Sequence, residues 1–309
     1  MMRILVTGAT GQVGGALVEA LRPAGSIVAA DRATLDLARP QRLAAALDRL
    51  APDLIVNPAA YTNVDHAEDE RDLAFLVNAE APGAMARWGA GRGVPLIHFS
   101  TDYVFDGSGS RPWREDDPTG PLSVYGASKL AGENAIRAAA GAHLVIRTSW
   151  VYAANGTNFL RSIARLARER AELRVVADQF GAPTSAPLIA AAVARIVETS
   201  GTAVAERFAA TGGLLNLAAA GETSWHGFAL AIVEGLRARG LTMAVEKITP
   251  LTTAEYPVKA KRPANSRLDL TRLHRVFGVT TPPWEDALQV ELDRLADELA
   301  SPMESGSPG

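Results

Sequence analysis

The chain has 309 residues, 48% of them hydrophobic, with a formal charge of -3 and a pI near 6.0: enough apolar mass for a large core, and no basic excess or block of like charges to recruit nucleic acid. With no cysteine, a disulfide framework and a thiolate metal site are both excluded, which suits a cytoplasmic protein. The apolar runs are too short for a signal peptide or a membrane span, so no leader and no membrane partner are expected.

Arg3 to Thr7 reads as a short buried strand and runs into Gly8-Ala-Thr-Gly11-Gln-Val-Gly14, after which Val13, Leu17 and Leu21 recur at helical spacing. Strand, glycine turn and helix in that order form a dinucleotide fingerprint. The glycines let the backbone approach a pyrophosphate, and the amides of Gln12 and Val13 open the helix N-terminus toward it. A second strand, Ile27 to Ala30, ends in Asp31-Arg32. An acid there accepts hydrogen bonds from an adenosine ribose, and an arginine holds a 2'-phosphate, so NADH and NADPH both remain open. Asp36-Leu37 precedes a helix opened by Pro40. The strand Leu54 to Asn57 then leads into Pro58-Ala59-Ala60-Tyr61, whose small residues allow close passage of a cofactor.

An acidic segment, Asp65 to Asp72, is followed by a long helical stretch from Leu73 to Gly91 with an interruption expected at Pro82-Gly83. The next buried strand, Val94 to Phe99, delivers Ser100-Thr101-Asp102-Tyr103 at its carboxyl end, the edge on which open parallel sheets bind ligands. Beyond a polar loop, a helix from Val124 to Ala140 carries Tyr125 and Lys129 one turn apart, so that phenol and ammonium share a face. An ammonium beside a phenol favours the phenolate and would bring the group toward working range as an acid. Leu144 to Thr148 is a further strand, ending at Trp150.

The fold class is α/β, a doubly wound parallel sheet over residues 1–150, with Leu214 to Leu217 and neighbouring segments near 185–220 returning to it. Residues 151–300 form a smaller lid of discontinuous segments, and 301–309 read as a disordered tail.

Together these residues resemble the extended short-chain dehydrogenase/reductase superfamily, through the G-x-x-G-x-x-G opening, Thr101 and Tyr125-x-x-x-Lys129. Within it the chain is most similar to the dTDP-4-dehydrorhamnose reductase family, through Ser100 to Gly107, Tyr125 to Glu133, Arg147 to Tyr152, Asp178 to Thr184 and Arg262 to Asp269. The resemblance implies reduction of the 4-keto group of dTDP-4-dehydro-L-rhamnose by NADPH or NADH. Tyr125 would supply the proton, Lys129 would hold the nicotinamide ribose, and Thr101 would bond the developing alkoxide. Asp102 and Tyr103 would border the sugar, Trp150 would wall it, and Arg262 would pair with the diphosphate, with Asn265 and Gln179 as weaker candidates. Trp150 also reads as a core residue, and Asn265 and Gln179 as pins for the lid loops.

Some relatives carry a glutamate in the first helix that helps build a metal-bridged dimer. The matching place here is Ala16 or a neighbour without a carboxylate, so no structural metal is expected, and a homodimer is left open. Three other readings compete: another nucleotide-sugar reductase, an epimerase, and a non-catalytic regulatory subunit of a methionine adenosyltransferase. A dehydratase is disfavoured because Tyr103 stands where a glutamate would be needed.

Overall fold

A computed structural model describes residues 1–300; the tail expected at 301–309 lies outside the described residues. The chain opens as β1 (Met2–Thr7), α1 (Gln12–Ala20), β2 (Gly25–Ala30), α2 (Leu43–Leu50), β3 (Leu54–Asn57), α3 (Arg71–Phe75), α4 (Ala81–Ala90), β4 (Leu96–Thr101), α5 (Val124–Ala138) and β5 (His143–Thr148). It continues as β6 (Val151–Tyr152), α6 (Phe159–Glu169), β7 (Glu172–Val176), β8 (Phe180–Gly181), β9 (Thr184–Ser185), α7 (Ala186–Ser200), α8 (Val204–Ala209) and β10 (Leu214–Asn216). The last elements are β11 (Thr223–Ser224), α9 (Trp225–Ala238), β12 (Lys247–Leu251), α10 (Thr271–Phe277) and α11 (Trp284–Ala300).

The central sheet has six parallel strands in the order β10-β5-β4-β3-β1-β2. The order reverses between β1 and β3, which places a ligand crevice at the carboxyl ends of β1, β3 and β4. Because helices cover both faces, alternate residues of one strand enter different cores. Ile4, Val6, Leu54, Val56, Ile97, Phe99, Leu144 and Ile146 pack with α1, α7 and α10. Leu5, Ile55, Leu96 and Val145 pack on the opposite face with α2, α4 and α5.

This alternation has a consequence at the crevice. Thr7, Asn57 and His98 continue the second series, so polar side chains replace apolar ones where the α5 face nears the strand ends. Asn57 and His98 are register partners, as are Ser100 and Arg147, and Arg147 and Asn216.

The interruption expected at Pro82-Gly83 falls elsewhere. The irregular turn is a π-helical segment, Leu76–Glu80, that joins α3 to α4 just before Pro82. Asn78 lies within it, fully buried.

A separate core under the lid joins Tyr152, Leu160, Ile163, Leu173, Val175, Phe228, Ile232, Trp284, Leu288 and Leu292 from β6, α6, β7, α9 and α11. β7 pairs with β12 in parallel, and β8 pairs antiparallel with β11. Among the described residues no helix is long and apolar enough to cross a membrane.

Candidate active site

The glycine turn has the shape that a diphosphate requires. Gly8 takes φ +54°, and a Cβ there would press on Ala59 at 3.1 Å; a Cβ on Gly14 would overlap the Gly8 carbonyl oxygen. Glycine at these two positions therefore lets β1 turn sharply and α1 approach it. Gly11 is the N-cap of α1 and has no side chain to satisfy the first-turn amides, which include those of Gln12 and Val13. These features fit a bound NAD(P)H. The Gln12 side chain accepts from Asn158 through its Oε1 at 2.9 Å, tying α1 to the loop before α6.

After β2, Asp31 accepts from the Thr34 N–H and hydroxyl, both at 2.8 Å, which holds its carboxyl below the usual range. The Arg32 head is 82% exposed and 3.7 Å from Asp36, whose Oδ1 caps the Ala38 N–H. Leu37 is buried beneath them. Ala59 meets Gly8, as expected of small residues at a crevice, and Ala60 follows. The Tyr61 backbone N–H donates to Asn78 Oδ1 at 2.8 Å, while its hydroxyl donates to Glu70, a bond that raises the phenol to about 12.

Thr101 ends β4, with its side chain almost wholly buried. It caps the following turn, accepting from Tyr103 N–H at 3.2 Å and donating to Asp102 Oδ1 at 3.1 Å. Ser123 caps α5, and Tyr125 stands in the first turn with its ring edge-on to Tyr103 at 5.5 Å. Gly126 makes that approach feasible, since a Cβ there would overlap the Tyr103 carbonyl. The Tyr125 hydroxyl interacts with Thr101.

Lys129 is 2% exposed and donates to the Phe99 carbonyl at 2.6 Å, with His98 Nε2 at 3.5 Å. Burial lowers this ammonium to about 8, and Glu133 works in the other direction. The phenol does not follow the sequence expectation in this state. Burial pushes Tyr125 upward and Thr101 opposes the shift; the ammonium of Lys129 is drawn instead to the Phe99 carbonyl.

The structure adds residues that sequence reasoning missed. Asn78 Nδ2 bonds the Tyr61 carbonyl and Ser128 Oγ, both at 3.0 Å, joining the cofactor-side loop to α5 one residue before Lys129. Glu133 and Arg147 form a fully buried ion pair, with Ser100 Oγ donating to Glu133 at 2.6 Å. A histidine inside the apolar run Pro95 to Phe99, and an asparagine ending Leu54 to Asn57, were the available signals: polar side chains in strands that must be buried need partners.

On the lid side, Trp150 is 9% exposed and adopts φ +49°, a strained conformation for a bulky residue. Its ring stacks on Trp225 at 3.7 Å and its edge meets the Gly181 backbone. Arg262 pairs with Asp65 at 2.7 Å and lies 3.3 Å from the Tyr103 hydroxyl. Lys259 reaches Asp69, and the Ala260 N–H donates to Asp65, so this segment clasps the loop before α3. Asn265 bonds the Ser108 and Arg111 carbonyls, and Gln179 bonds Thr253. Gln179 thus bridges two lid loops, and Asn265 ties the lid to the loop between β4 and α5.

Asp102 is 1% exposed, and its Oδ2 has no partner among the described residues. Burial raises its carboxyl from 3.8 to about 7, opposed by Ser266 and Thr101. The folded state then holds this proton more tightly than the unfolded chain. Stability from this group is present at acid pH and lost as pH rises from about 4 to about 7. Thermal midpoints across that window should show the decline, and Asp102→Asn should flatten it; an equal decline in the variant would assign it elsewhere.

A doubly wound sheet, a glycine turn at its switch point, and a tyrosine and lysine on the helix over β4 define a nucleotide-dependent reductase scaffold. A family model described as the RmlD substrate binding domain matches residues 2–297, and the chain belongs to this family. It is 48% identical over 291 residues to a dTDP-4-dehydrorhamnose reductase of Burkholderia thailandensis, covering 93% of this chain and 97% of that protein. A crystal structure of a dTDP-4-dehydrorhamnose reductase from Clostridium acetobutylicum superposes with a TM-score of 0.86 at 33% identity, covering 95% of this chain and 99% of the other. The Bacillus anthracis reductase, solved in complex with NADP, superposes with a TM-score of 0.84 at 33% identity, covering 96% and 99%.

Proposed function

We propose that this chain reduces the 4-keto group of dTDP-4-dehydro-L-rhamnose to give dTDP-L-rhamnose, at the expense of NADPH or NADH. The observation that carries this reading is the convergence of Thr101, Tyr125 and Lys129 at the end of β4, beside the glycine turn, in a chain that shares nearly its whole length with reductases of that name. The nicotinamide supplies a hydride when bound.

The protein's own groups do the rest. Tyr125 donates its proton to the keto oxygen as the carbon is reduced, and Thr101 bonds the same oxygen as charge builds on it. Lys129 would hold the nicotinamide ribose, and its ammonium would offset the negative charge left on the phenolate when Tyr125 gives up its proton. Gly8, Gly11, Gln12 and Val13 receive the diphosphate, while Asp31, Arg32, Asp36 and Leu37 form the adenosine end, and Ala59, Ala60 and Tyr61 line the crevice floor. Asp102, Tyr103 and Trp150 border the sugar, and Arg262, released from Asp65 or shared with it, meets the sugar nucleotide's diphosphate, with Asn265 holding the loop beneath. In this reading residues 1–150, with segments near 185–220, carry the cofactor and 151–300 close over the sugar. A cytoplasmic location remains part of it because a chain without cysteine suits a reducing compartment.

The test is absorbance loss of NADPH and of NADH on adding the keto sugar nucleotide. Consumption of at least one, with dTDP-L-rhamnose as the product, is expected; no consumption of either overturns the proposal.

A further inference from the structure

A line of buried polar groups runs across the sheet beneath the site. Ala59 N–H donates to Thr7 Oγ at 3.3 Å, so the Thr7 hydroxyl proton is free to go to Asn57 Oδ1 at 2.6 Å. The Asn57 amide nitrogen then faces His98 Nδ1 at 3.0 Å, and His98 Nε2 faces Lys129 Nζ at 3.5 Å. Asn57 and His98 are both 0% exposed, and Thr7 is 1% exposed. Three adjacent strands, β1, β3 and β4, therefore each spend a core position on this line, at a level where their preceding same-face residues, Leu5, Ile55 and Leu96, are apolar. Burying three polar side chains costs stability unless each is satisfied. The series is satisfied from Thr7 to His98 Nδ1, and it ends against the lysine.

We propose that His98 is a positioning residue for Lys129, held by Asn57 and Thr7 so that its Nε2 edge backs the lysine and leaves the Phe99 carbonyl as the acceptor that aims the rest of the head into the crevice. The direction of the bonds decides the tautomer. With Thr7 donating to Asn57 and Asn57 donating to Nδ1, a neutral imidazole carries its proton on Nε2. Burial first, and the charge of Lys129 second, hold His98 well below its ordinary pKa, so it stays neutral. An Nε2–H edge offers the ammonium no acceptor. It supports an uncharged amine better than a charged one, and it denies the lysine a second anchor that would pull it from the crevice. Among the described residues, the ionisable groups bearing on Lys129 are Glu133 on its own helix and His98 on β4, and the one bearing on His98 is Lys129. The line begins at Thr7, the residue before Gly8, so the lysine's seat and the cofactor turn share one support.

This inference rests on Lys129 acting in the reduction. The experiment follows cofactor oxidation with dTDP-4-dehydro-L-rhamnose for wild type, His98→Gln, His98→Leu and Lys129→Met across the neutral-to-alkaline range, with a thermal midpoint for each. In H98Q the amide can turn its oxygen to the ammonium, an acceptor that the native edge lacks, and donate to Asn57 Oδ1 once the Asn57 amide flips to donate to Thr7 Oγ. Its kcat is expected to fall about tenfold, and its pH limb to move up by about one unit, with the sugar KM and the thermal midpoint near wild type. H98L, which leaves Asn57 without its partner, is expected to lose thermal stability as well as rate. An H98Q enzyme with the wild-type limb and kcat overturns the positioning role, as does an effect confined to the thermal midpoint. Lys129→Met separates the two claims: full rate there removes the lysine's role and this proposal together, whereas lost rate there with an unshifted H98Q limb removes the positioning role alone.

Discussion

Tyr125→Phe should lower kcat by about two to four orders of magnitude, the usual contribution of a positioned general acid, while leaving cofactor affinity and fold intact. The hydroxyl is the only group removed. The ring keeps its edge-on packing against Tyr103 at 5.5 Å, and the α5 cap on Ser123 and the Ser128 bond to the Tyr125 carbonyl do not involve the phenol oxygen. Thr101 retains its bonds to Asp102 and Tyr103, so the oxyanion side of the site persists and some residual rate is expected from it. Burial that raises the phenol keeps it protonated at neutral pH, the form in which an acid is useful. Steady-state rates and cofactor fluorescence titrations check both halves. A phenylalanine variant with near-native kcat would mean that another group delivers the proton.

Arg147→Met should destabilise the protein by about 3–5 kcal/mol, because it strands a buried carboxylate. Glu133 has a fully buried side chain, and Arg147 supplies both of its fork bonds, at 2.9 and 2.6 Å. The same guanidinium donates to the Glu115 carbonyl at 3.1 Å and lies over the Phe105 ring at 4.9 Å. Methionine keeps part of the volume and none of the donors. Removing both partners, as in Arg147→Met with Glu133→Leu, should recover much of the loss, since an apolar pair of similar size carries no desolvated charge. Urea midpoints with the slope held constant measure this. A single variant within 1 kcal/mol of wild type would contradict the burial described for the pair.

What was readable beforehand follows from the range of each interaction. Strands buried on both faces announce themselves as apolar runs, and β1, β3, β4 and β5 could be placed from such runs to within two residues at either end. The return of Leu214 to Leu217 to the first sheet was also visible; its place beside β5 was not. That Tyr125 and Lys129 share a helix face needed no more than helical spacing, while their choice as a site needed the surrounding motifs. The π-helical turn at Leu76–Glu80 was not visible, because Pro82 drew the break to itself while the irregular hydrogen bonding lies in the residues just before it.

Groups joined across the sheet were harder still. Thr7, Asn57 and His98 come from three strands, and nothing local shows that register sets Asn57 beside His98. Arg262 meets Asp65 across 197 positions, and Trp150 stacks on a helix that starts at Trp225. Such pairs depend on where the lid segments return, which composition does not encode. The lysine's own acceptor was hidden for a related reason. Spacing puts Tyr125 and Lys129 on one face, but the Phe99 carbonyl that draws the ammonium belongs to a strand.

The central claim is direct hydride transfer to C4 of the sugar, and the most direct measurement uses NADPH or NADH deuterated at the transferring position of the nicotinamide. Incubation with dTDP-4-dehydro-L-rhamnose should oxidise one cofactor for each sugar reduced and leave one deuterium on C4 of dTDP-L-rhamnose, read by mass and proton spectra. An altered sugar with no net cofactor oxidation and no label at C4 would make the chain an epimerase, and an unchanged sugar with unoxidised cofactor would leave it a binding subunit; either result contradicts the account.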